Sequence, residues 1–241
     1  MKRSEFLAGG GAFVLSGLAA RVGAAVQTPE KHSLPASPAE GRLTPPASGD
    51  ILVAVAISEG VTVIDFCGPW EVFQDASVAV DPNPAFRLVT VSESTRPVTA
   101  SGGLRVVPAY SFENVPQPRV IVVPAQRGGH ALHAWLRKAS EKADLTMSVC
   151  TGAFQLARAG LLSGKAATTH HDFVDDLARE FPDIQVKRGL RFVESAPHIA
   201  TAGGLSSGID LALRVVERYF GRAAAERTAF YMEYQSKGWI V

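Results

Sequence analysis

Residues 145–154 read LTMSVCTGAF, and this stretch predicts a buried strand that turns directly into a helix with Cys150 at the turn. The apolar run that ends at Val149 is typical of a strand covered on both faces. The small residues Gly152 and Ala153 allow the chain to turn sharply after the cysteine. The pattern is that of a nucleophile elbow, with cysteine in the place of serine.

The chemistry of Cys150 depends on its predicted place at the start of a helix. The partial positive charge and the free N–H groups of a helix N-terminus favour the thiolate, which is the reactive form of cysteine. The alternative is a small buried cysteine that only fills space, and such residues are common. The strand-turn-helix context favours a functional cysteine.

Strand-like and helical patterns alternate on both sides of this elbow. Apolar runs of strand length lie at residues 51–57, 86–91, 120–123 and 145–149. Helical spacing of apolar residues occurs near residues 70–76, 132–139, 154–162, 172–181, 207–220 and 223–234. This alternation predicts an α/β domain with a mostly parallel sheet between two helical layers. Ligands of such sheets bind at the carboxyl ends of the strands.

The composition excludes several classes of protein. Of the 241 residues, 46% are hydrophobic and 20% are charged, which is too apolar for a disordered chain. A net charge of +1 gives no general attraction for nucleic acid, and no nucleic-acid partner is predicted. Two cysteines are too few for a disulfide-rich scaffold or a four-cysteine zinc site. We predict no cofactor and no metal site, and interpret His130 and His133 as part of a solvated helix face.

The N-terminus predicts an export signal over residues 1–25. Basic residues at Lys2 and Arg3 precede an uncharged run at residues 8–20, and small residues follow up to Ala25. The run is too short to span a bilayer, so no stable membrane insertion is expected after cleavage. The signal predicts an exported, periplasmic protein that uses a twin-arginine-like or a general secretory route. A short buried helix is the alternative.

Residues 26–50 predict a flexible linker between the signal and the domain. They contain five prolines and few large apolar residues, so the segment cannot bury enough surface to offset its chain entropy. Residues 51–241 remain as one domain whose formal charges balance.

Three groups of motifs resemble the ThiJ/PfpI (DJ-1/PfpI) family. The elbow and its continuation form the first group, with VCTGAF at 149–154, AGLLSGK at 159–165 and ATTH at 167–170. The second lies at residues 60–73 and includes Asp65, and the third begins with TAGG at 201–204. The resemblance covers the whole domain. It implies a flavodoxin-like three-layer sandwich, a relation to class I glutamine amidotransferases, and a homodimer.

Two details resemble the isonitrile hydratase branch of that family. Asp65 stands where the deglycase and peptidase-like branches carry glutamate, and Thr151 follows the cysteine where the peptidase-like branch has histidine. The resemblance implies a small-molecule substrate and three catalytic residues. The Cys150 thiolate would add to the terminal carbon of an isonitrile, Asp65 would pass protons and position water, and Thr151 would donate a hydrogen bond. Judged locally, Asp65 is also a good helix N-cap.

Four further residues are auxiliary candidates. His170 lies twenty residues after Cys150, as the histidine of the deglycase branch does, and either tunes the thiol or ends a strand at the surface. Gly152 shapes the turn. Ala125 and Gln126 stand where catalytic relatives carry the glycines of a Pro-Gly-Gly loop, whereas here the glycine pair is delayed to 128–129. This departure predicts an altered oxyanion pocket.

Three functions are therefore considered. The first is an isonitrile hydratase-like lyase, and the second is a deglycase, glyoxalase or amidase-like hydrolase that uses the same cysteine. The third is an exported small-molecule-binding or stress protein without turnover. The sensor domains of AraC-type regulators share parts of the motifs, but the export signal and the chain end at Val241 argue against transcription. A disulfide between Cys67 and Cys150 would block catalysis and is not expected.

Overall fold

The structure is a computed structural model, and it describes residues 41–80 and 85–241. The strands are β1 (Ile51–Ala56), β2 (Phe86–Ser92), β3 (Val98–Thr99), β4 (Arg105–Val106), β5 (Tyr110–Ser111), β6 (Val120–Val123), β7 (Leu145–Ser148), β8 (Ala166–Ala167), β9 (Gln185–Val186), β10 (Phe192–Ala196) and β11 (Ile199–Ala202). The helices are α1 (Val63–Val80), α2 (His130–Ser140), α3 (Gly152–Arg158), α4 (Val174–Glu180), α5 (Ser207–Phe220) and α6 (Arg222–Tyr231).

Seven strands form the central sheet in the order β10, β11, β7, β6, β1, β2, β5. All neighbours are parallel except β10 and β11, which form an antiparallel hairpin at one edge. The mostly parallel α/β fold predicted from the sequence is confirmed. Strand β1 lies between β2 and β6, so the chain reverses its direction of travel across the sheet at this point. The carboxyl end of β1 is therefore the topological switch point, where open α/β sheets bind ligands.

Helices cover both faces of the sheet. One hydrophobic cluster joins the sheet to α1, α5 and α6, and a second joins it to α2, α3 and α4. Every residue of β1, β6 and β7 is buried, because each of these strands packs against helices on both faces. Burial on both faces explains why β1 and β6 appear in the sequence as continuous apolar runs, whereas β7 also buries the hydroxyl groups of Thr146 and Ser148.

The edge hairpin of β10 and β11 was not predicted. Strand β10 includes Glu194 and Ser195, so it does not read as an apolar run. The side chain of Glu194 is buried because Arg214 and Arg218 of α5 pair with it. Polar residues thus occupy this edge through specific partners, which a hydrophobicity pattern does not show.

The predicted export signal and residues 26–40 of the predicted linker lie outside the described residues. Residues 41–50 contain no helix or strand, but three hydrogen bonds attach them to the domain. The Leu43 N–H donates to the carbonyl of Arg218, and the guanidinium groups of Arg218 and Arg119 donate to the carbonyls of Gly41 and Thr44. Contacts with the domain therefore include residues 41–44, which precede the predicted domain start at residue 51. Within the described ranges, no helix has both the length and the apolar character needed to cross a membrane.

Candidate active site

Cys150 occupies a strained turn between β7 and α3. Its φ of 58° lies in the left-handed region, which residues with a Cβ rarely adopt. The turn is held in place because the Cys150 N–H donates to the carbonyl of Gly203 at 2.9 Å. A Cβ at Gly152 would lie 2.0 Å from the carbonyl oxygen of Val123, so only glycine fits there. The cysteine elbow predicted from residues 145–154 is present.

Asp65 lies in the first turn of α1 and is fully buried beside Cys150. Its Oδ2 accepts a hydrogen bond from the Ala125 N–H at 3.2 Å, whereas its Oδ1 has no hydrogen-bond partner among the described residues. The Cys150 thiol and the Leu205 N–H lie near enough to favour the ionised carboxylate. The interpretation of Asp65 as an ordinary N-cap is wrong, since its backbone partner belongs to the loop after β6. The fold thus brings together a carboxylate and a thiol that are 85 residues apart in the sequence.

Burial raises the pKa of both groups, and the carboxylate further opposes ionisation of the thiol. The pKa of Asp65 rises to about 6, mainly through burial, although the nearby Cys150 thiol favours the ionised carboxylate. Burial and the negative charge of Asp65 raise the pKa of Cys150 to about 11, although the nearby N–H groups of Thr151 and Leu205 favour the thiolate. At neutral pH the pair is therefore a protonated thiol beside a carboxylate. The N–H groups at the start of the helix favour the thiolate, as the sequence indicated, but burial and the Asp65 carboxylate raise the pKa of the thiol by more.

Thr151 and His170 occupy different positions around the elbow. Thr151 is partly exposed, and its hydroxyl makes no hydrogen bond to any other residue in the described ranges. His170 packs against Gly204, where a Cβ would lie 2.2 Å from the imidazole ring. The His170 Nδ1 accepts a hydrogen bond from the Asp172 N–H at 3.2 Å. The imidazole ring therefore lies fixed beside the Gly203–Gly204 pair. The neighbouring Thr169 hydroxyl donates to the Cys150 carbonyl at 2.9 Å.

The loop at residues 124–129 has two different faces. Its Ala125 N–H holds Asp65, as described above. The Gln126 side chain instead donates a hydrogen bond to the Ala56 carbonyl at 2.9 Å, which attaches the loop to β1. This auxiliary candidate therefore has a structural role. The side-chain amide of Gln155, on α3, donates to the Gln126 carbonyl at 3.1 Å, and its Oε1 pairs with His133 at 2.8 Å. The interpretation of His133 as part of a solvated helix face is therefore wrong.

Leu205 and Gln155 contribute to the site but were not predicted. Leu205 has a φ of 53°, and its N–H reaches both Asp65 and Cys150. The Gly203–Gly204 pair that precedes Leu205 appeared in the sequence only as part of a family motif. Gln155 is only 3% exposed, although it lies on a helix where a glutamine would usually face solvent.

Cysteines and possible metal ligands need separate mention. Cys67 is an exposed free cysteine on α1, so it forms no disulfide with Cys150. In the described part of the chain, His170, His171 and Asp172 place three potential metal-ligating atoms within 4.8 Å of one another. The Nδ1 lone pair of His170 already accepts the Asp172 N–H, and the other two side chains are exposed. We assign no metal to this group.

Comparison with known proteins places these features in context. The sequence profile of the DJ-1/PfpI family matches residues 51–218. An isonitrile hydratase of Pseudomonas putida is 34% identical over 184 residues, which cover 72% of this chain and 74% of the relative. The HTH-type transcriptional regulator CdhR of Pseudomonas aeruginosa is 32% identical over 141 residues, which cover 56% of this chain but only 41% of the regulator.

Solved structures share the fold. A THiJ/PfpI family protein from Pseudomonas syringae superposes with a TM-score of 0.68 at 28% identity, and the match covers 79% of this chain and 77% of that protein. The range matched by the family profile, residues 51–218, includes both the buried carboxylate of Asp65 and the cysteine elbow.

Proposed function

The chain belongs to the DJ-1/PfpI family, and we propose that it is a cysteine-dependent enzyme that hydrates isonitriles to N-substituted formamides. The proposal rests on the buried Asp65–Cys150 pair, in which the carboxylate is placed to accept the thiol proton. The isonitrile hydratase of Pseudomonas putida, which is similar along most of its length, supports the choice of substrate class.

The first step is addition of the Cys150 thiol to the terminal carbon of the isonitrile. The sulfur forms a bond to that carbon while Asp65 accepts the thiol proton, and Asp65 then delivers this proton to the same carbon. The product is a thioimidate in which the carbon carries the sulfur, one hydrogen and a double bond to nitrogen. The N–H groups of Thr151 and Leu205 stabilise the negative charge that develops on sulfur.

The second step is hydration of the thioimidate. Asp65 takes a proton from water as the water oxygen attacks the carbon, and it passes this proton to the nitrogen. In the collapse of this intermediate the carbon–sulfur bond breaks as the C=O bond forms, and Asp65 transfers the hydroxyl proton to the Cys150 sulfur, which releases the formamide. The free Thr151 hydroxyl is suited to orient the attacking water, since no other described residue holds it. The two steps consume one isonitrile and one water and need no oxidant.

The surroundings of the pair suit an apolar N-substituent. Ile64 precedes Asp65 in α1 and is 40% exposed, and Leu205 is 44% exposed. Exposed aliphatic side chains beside a buried polar pair can bind a hydrocarbon group while the reacting carbon reaches the sulfur.

Turnover of cyclohexyl isonitrile, followed by the appearance of the formamide, tests this function. Cys150→Ala is expected to abolish turnover, and Asp65→Asn is expected to reduce kcat by 10²–10⁴-fold because it removes the general base. Cys67→Ala is the matched control, because this exposed thiol lies on the same helix as Asp65 and takes no part in the chemistry. Undiminished turnover in Cys150→Ala would contradict the mechanism.

The second candidate is a small-molecule-binding protein without turnover. It is favoured by the Ala125 N–H, which is bonded to Asp65 and so is not free to stabilise an oxyanion. The similarity to the regulator CdhR also supports binding. Saturable isonitrile binding with no formamide formed by the wild-type chain would favour this candidate. Export to the periplasm and assembly as a homodimer remain predictions, which cell fractionation and light scattering would test.

A further inference from the structure

Gln155 is a buried polar side chain that the proposed reaction steps do not use. It lies on α3, shortly after Cys150, and is only 3% exposed. Its Nε2 donates to the Gln126 carbonyl at 3.1 Å and to the Arg127 carbonyl at 3.4 Å. One side chain of the helix that follows the cysteine therefore holds two consecutive carbonyl groups of the loop at residues 124–129.

The orientation of the Gln155 amide is itself fixed by its neighbours. Because its Nε2 faces two carbonyl groups, its Oε1 is the acceptor, and the Nε2–H of His133 on α2 donates to it at 2.8 Å. Gly128 has a φ of 70°, and a Cβ at this position would overlap with the Gln155 Oε1. The delayed glycine of the loop therefore leaves the space that the glutamine amide occupies.

The other end of the same loop holds the carboxylate of Asp65. The Ala125 N–H donates to Oδ2 at 3.2 Å, and the Ala125 carbonyl accepts the Thr62 N–H at 2.9 Å. Oδ1 is buried and has no hydrogen-bond partner among the described residues. Peptide units are planar, and a single unit separates the Ala125 N–H from the Gln126 carbonyl. The contact of Gln155 with that carbonyl therefore restricts the direction of the N–H that faces Asp65.

We propose that Gln155 is a positioning residue for Asp65. By holding two carbonyl groups of the loop, it keeps the Ala125 N–H on Oδ2 and leaves Oδ1 as the oxygen that accepts the thiol proton of Cys150. His133 supports this arrangement from α2. The role rests on the proposed function, in which Asp65 is the general base, and Gln155 acts only through the loop.

The pKa of Asp65 in the variant Gln155→Leu, measured from the NMR shift of its carboxyl carbon, tests this role. Leucine is similar in size to glutamine but has no hydrogen-bond donor, so the loop carbonyls are released and the Ala125 N–H is no longer fixed on Oδ2. Because this N–H favours the ionised carboxylate, the pKa of Asp65 should rise by about half a pH unit to one pH unit above the wild-type value. Absence of the signal in Asp65→Asn assigns it.

Two further variants separate positioning from a loss of packing. Phe154→Leu is the matched control, since Phe154 is the adjacent buried residue of α3, packs against Phe181 and has no hydrogen-bonding side chain. It should leave the pKa of Asp65 unchanged. His133→Leu should raise that pKa by less than Gln155→Leu does, and this partly exposed position decides the test if the buried variant does not fold. An unchanged pKa in Gln155→Leu or in His133→Leu, or an equal rise in Phe154→Leu, would overturn the proposal.

Kinetics with cyclohexyl isonitrile distinguish this role from the proposed function itself. Gln155→Leu should lower kcat about tenfold while KM changes by less than about twofold, because the general base is displaced and the substrate site is not. The acid limb of its kcat/KM profile should move to higher pH together with the pKa of Asp65. Absence of turnover in the wild type would contradict the proposed function, whereas the pKa comparison would still decide the link between Gln155 and Asp65. Wild-type kinetics in Gln155→Leu would overturn the positioning role.

Discussion

Asp65 and Asp210 are both fully buried, but the chain supports them in opposite ways. Asp210, on α5, pairs with the guanidinium group of Arg191 and accepts hydrogen bonds from Tyr234 and Ser236 of the C-terminal segment. Among the described residues, Asp65 accepts one hydrogen bond, from the Ala125 N–H, its Oδ1 has no partner, and no cation pairs with it. An aspartate thus stabilises the fold at position 210, whereas the negative charge of the aspartate at position 65 is poorly compensated. Such uncompensated burial is typical of functional sites.

The largest expected effect on stability comes from removing the charge of Asp65. Its pKa is raised from 3.8 to about 6 in the folded state, so ionisation costs more in the folded than in the unfolded chain. This penalty is absent below pH 3.8, develops as the pH rises to 6, and is complete above it, where it amounts to about 3 kcal/mol. Asp65→Asn should therefore raise the free energy of unfolding at pH 7.5 by up to that amount.

Urea denaturation of Asp65→Asn and wild type between pH 4 and pH 8 measures this difference. The gap between the two proteins should narrow as the pH falls from 6 towards 4. A variant that is less stable than wild type at pH 7.5 would mean that the ionised carboxylate stabilises the fold, contrary to its environment.

Asp210→Asn should have the opposite sign and a somewhat smaller size. It leaves Arg191 without its carboxylate and weakens the bonds to Tyr234 and Ser236, so the free energy of unfolding should fall by about 2 kcal/mol. Arg191 is 30% exposed, and water can partly replace the lost partner, which keeps the loss moderate. Thermal unfolding at pH 7.5 would detect it. If Asp65→Asn and Asp210→Asn changed the free energy of unfolding in the same direction, the proposed difference between the two aspartates would be contradicted.

The smallest expected effect concerns the strained backbone beside the pair. Leu205 has a φ of 53°, which costs a residue with a Cβ about 1 kcal/mol. Leu205→Gly should recover an amount of this order while retaining the N–H that reaches Asp65 and Cys150. The same variant should raise KM for an apolar isonitrile, because the exposed aliphatic side chain is lost. Leu205→Ala separates the two effects, since it removes the side chain but keeps the strain.

Much of the fold could be predicted because its central strands are buried on both faces. Strands β1 and β6 appear as uninterrupted apolar runs, and α5 begins and ends where its apolar spacing does. The hairpin of β10 and β11 escaped prediction, since its polar residues are buried by ion pairs from α5. Such pairings depend on tertiary contacts that a local pattern does not contain.

The site was only partly predictable for a similar reason. Cys150 could be found from its turn and Asp65 from the family motif, because both rest on local residue types. Leu205 acts through its backbone, so the identity of its side chain carries no signal. The raised pKa of the Cys150 thiol could not be predicted, because the sequence shows the helix start but neither the burial nor the carboxylate that comes from a distant helix.

The pH dependence of Cys150 alkylation by iodoacetamide, measured in a Cys67→Ala background, tests most directly whether the resting pair is a thiol beside a carboxylate. The rate should rise tenfold per pH unit from 6 to 9.5 without levelling off, because the thiol pKa is about 11. Asp65→Asn should alkylate faster at each pH, since the opposing negative charge is gone. A rate that reaches a plateau below pH 8 would show a resting thiolate and contradict the assignment.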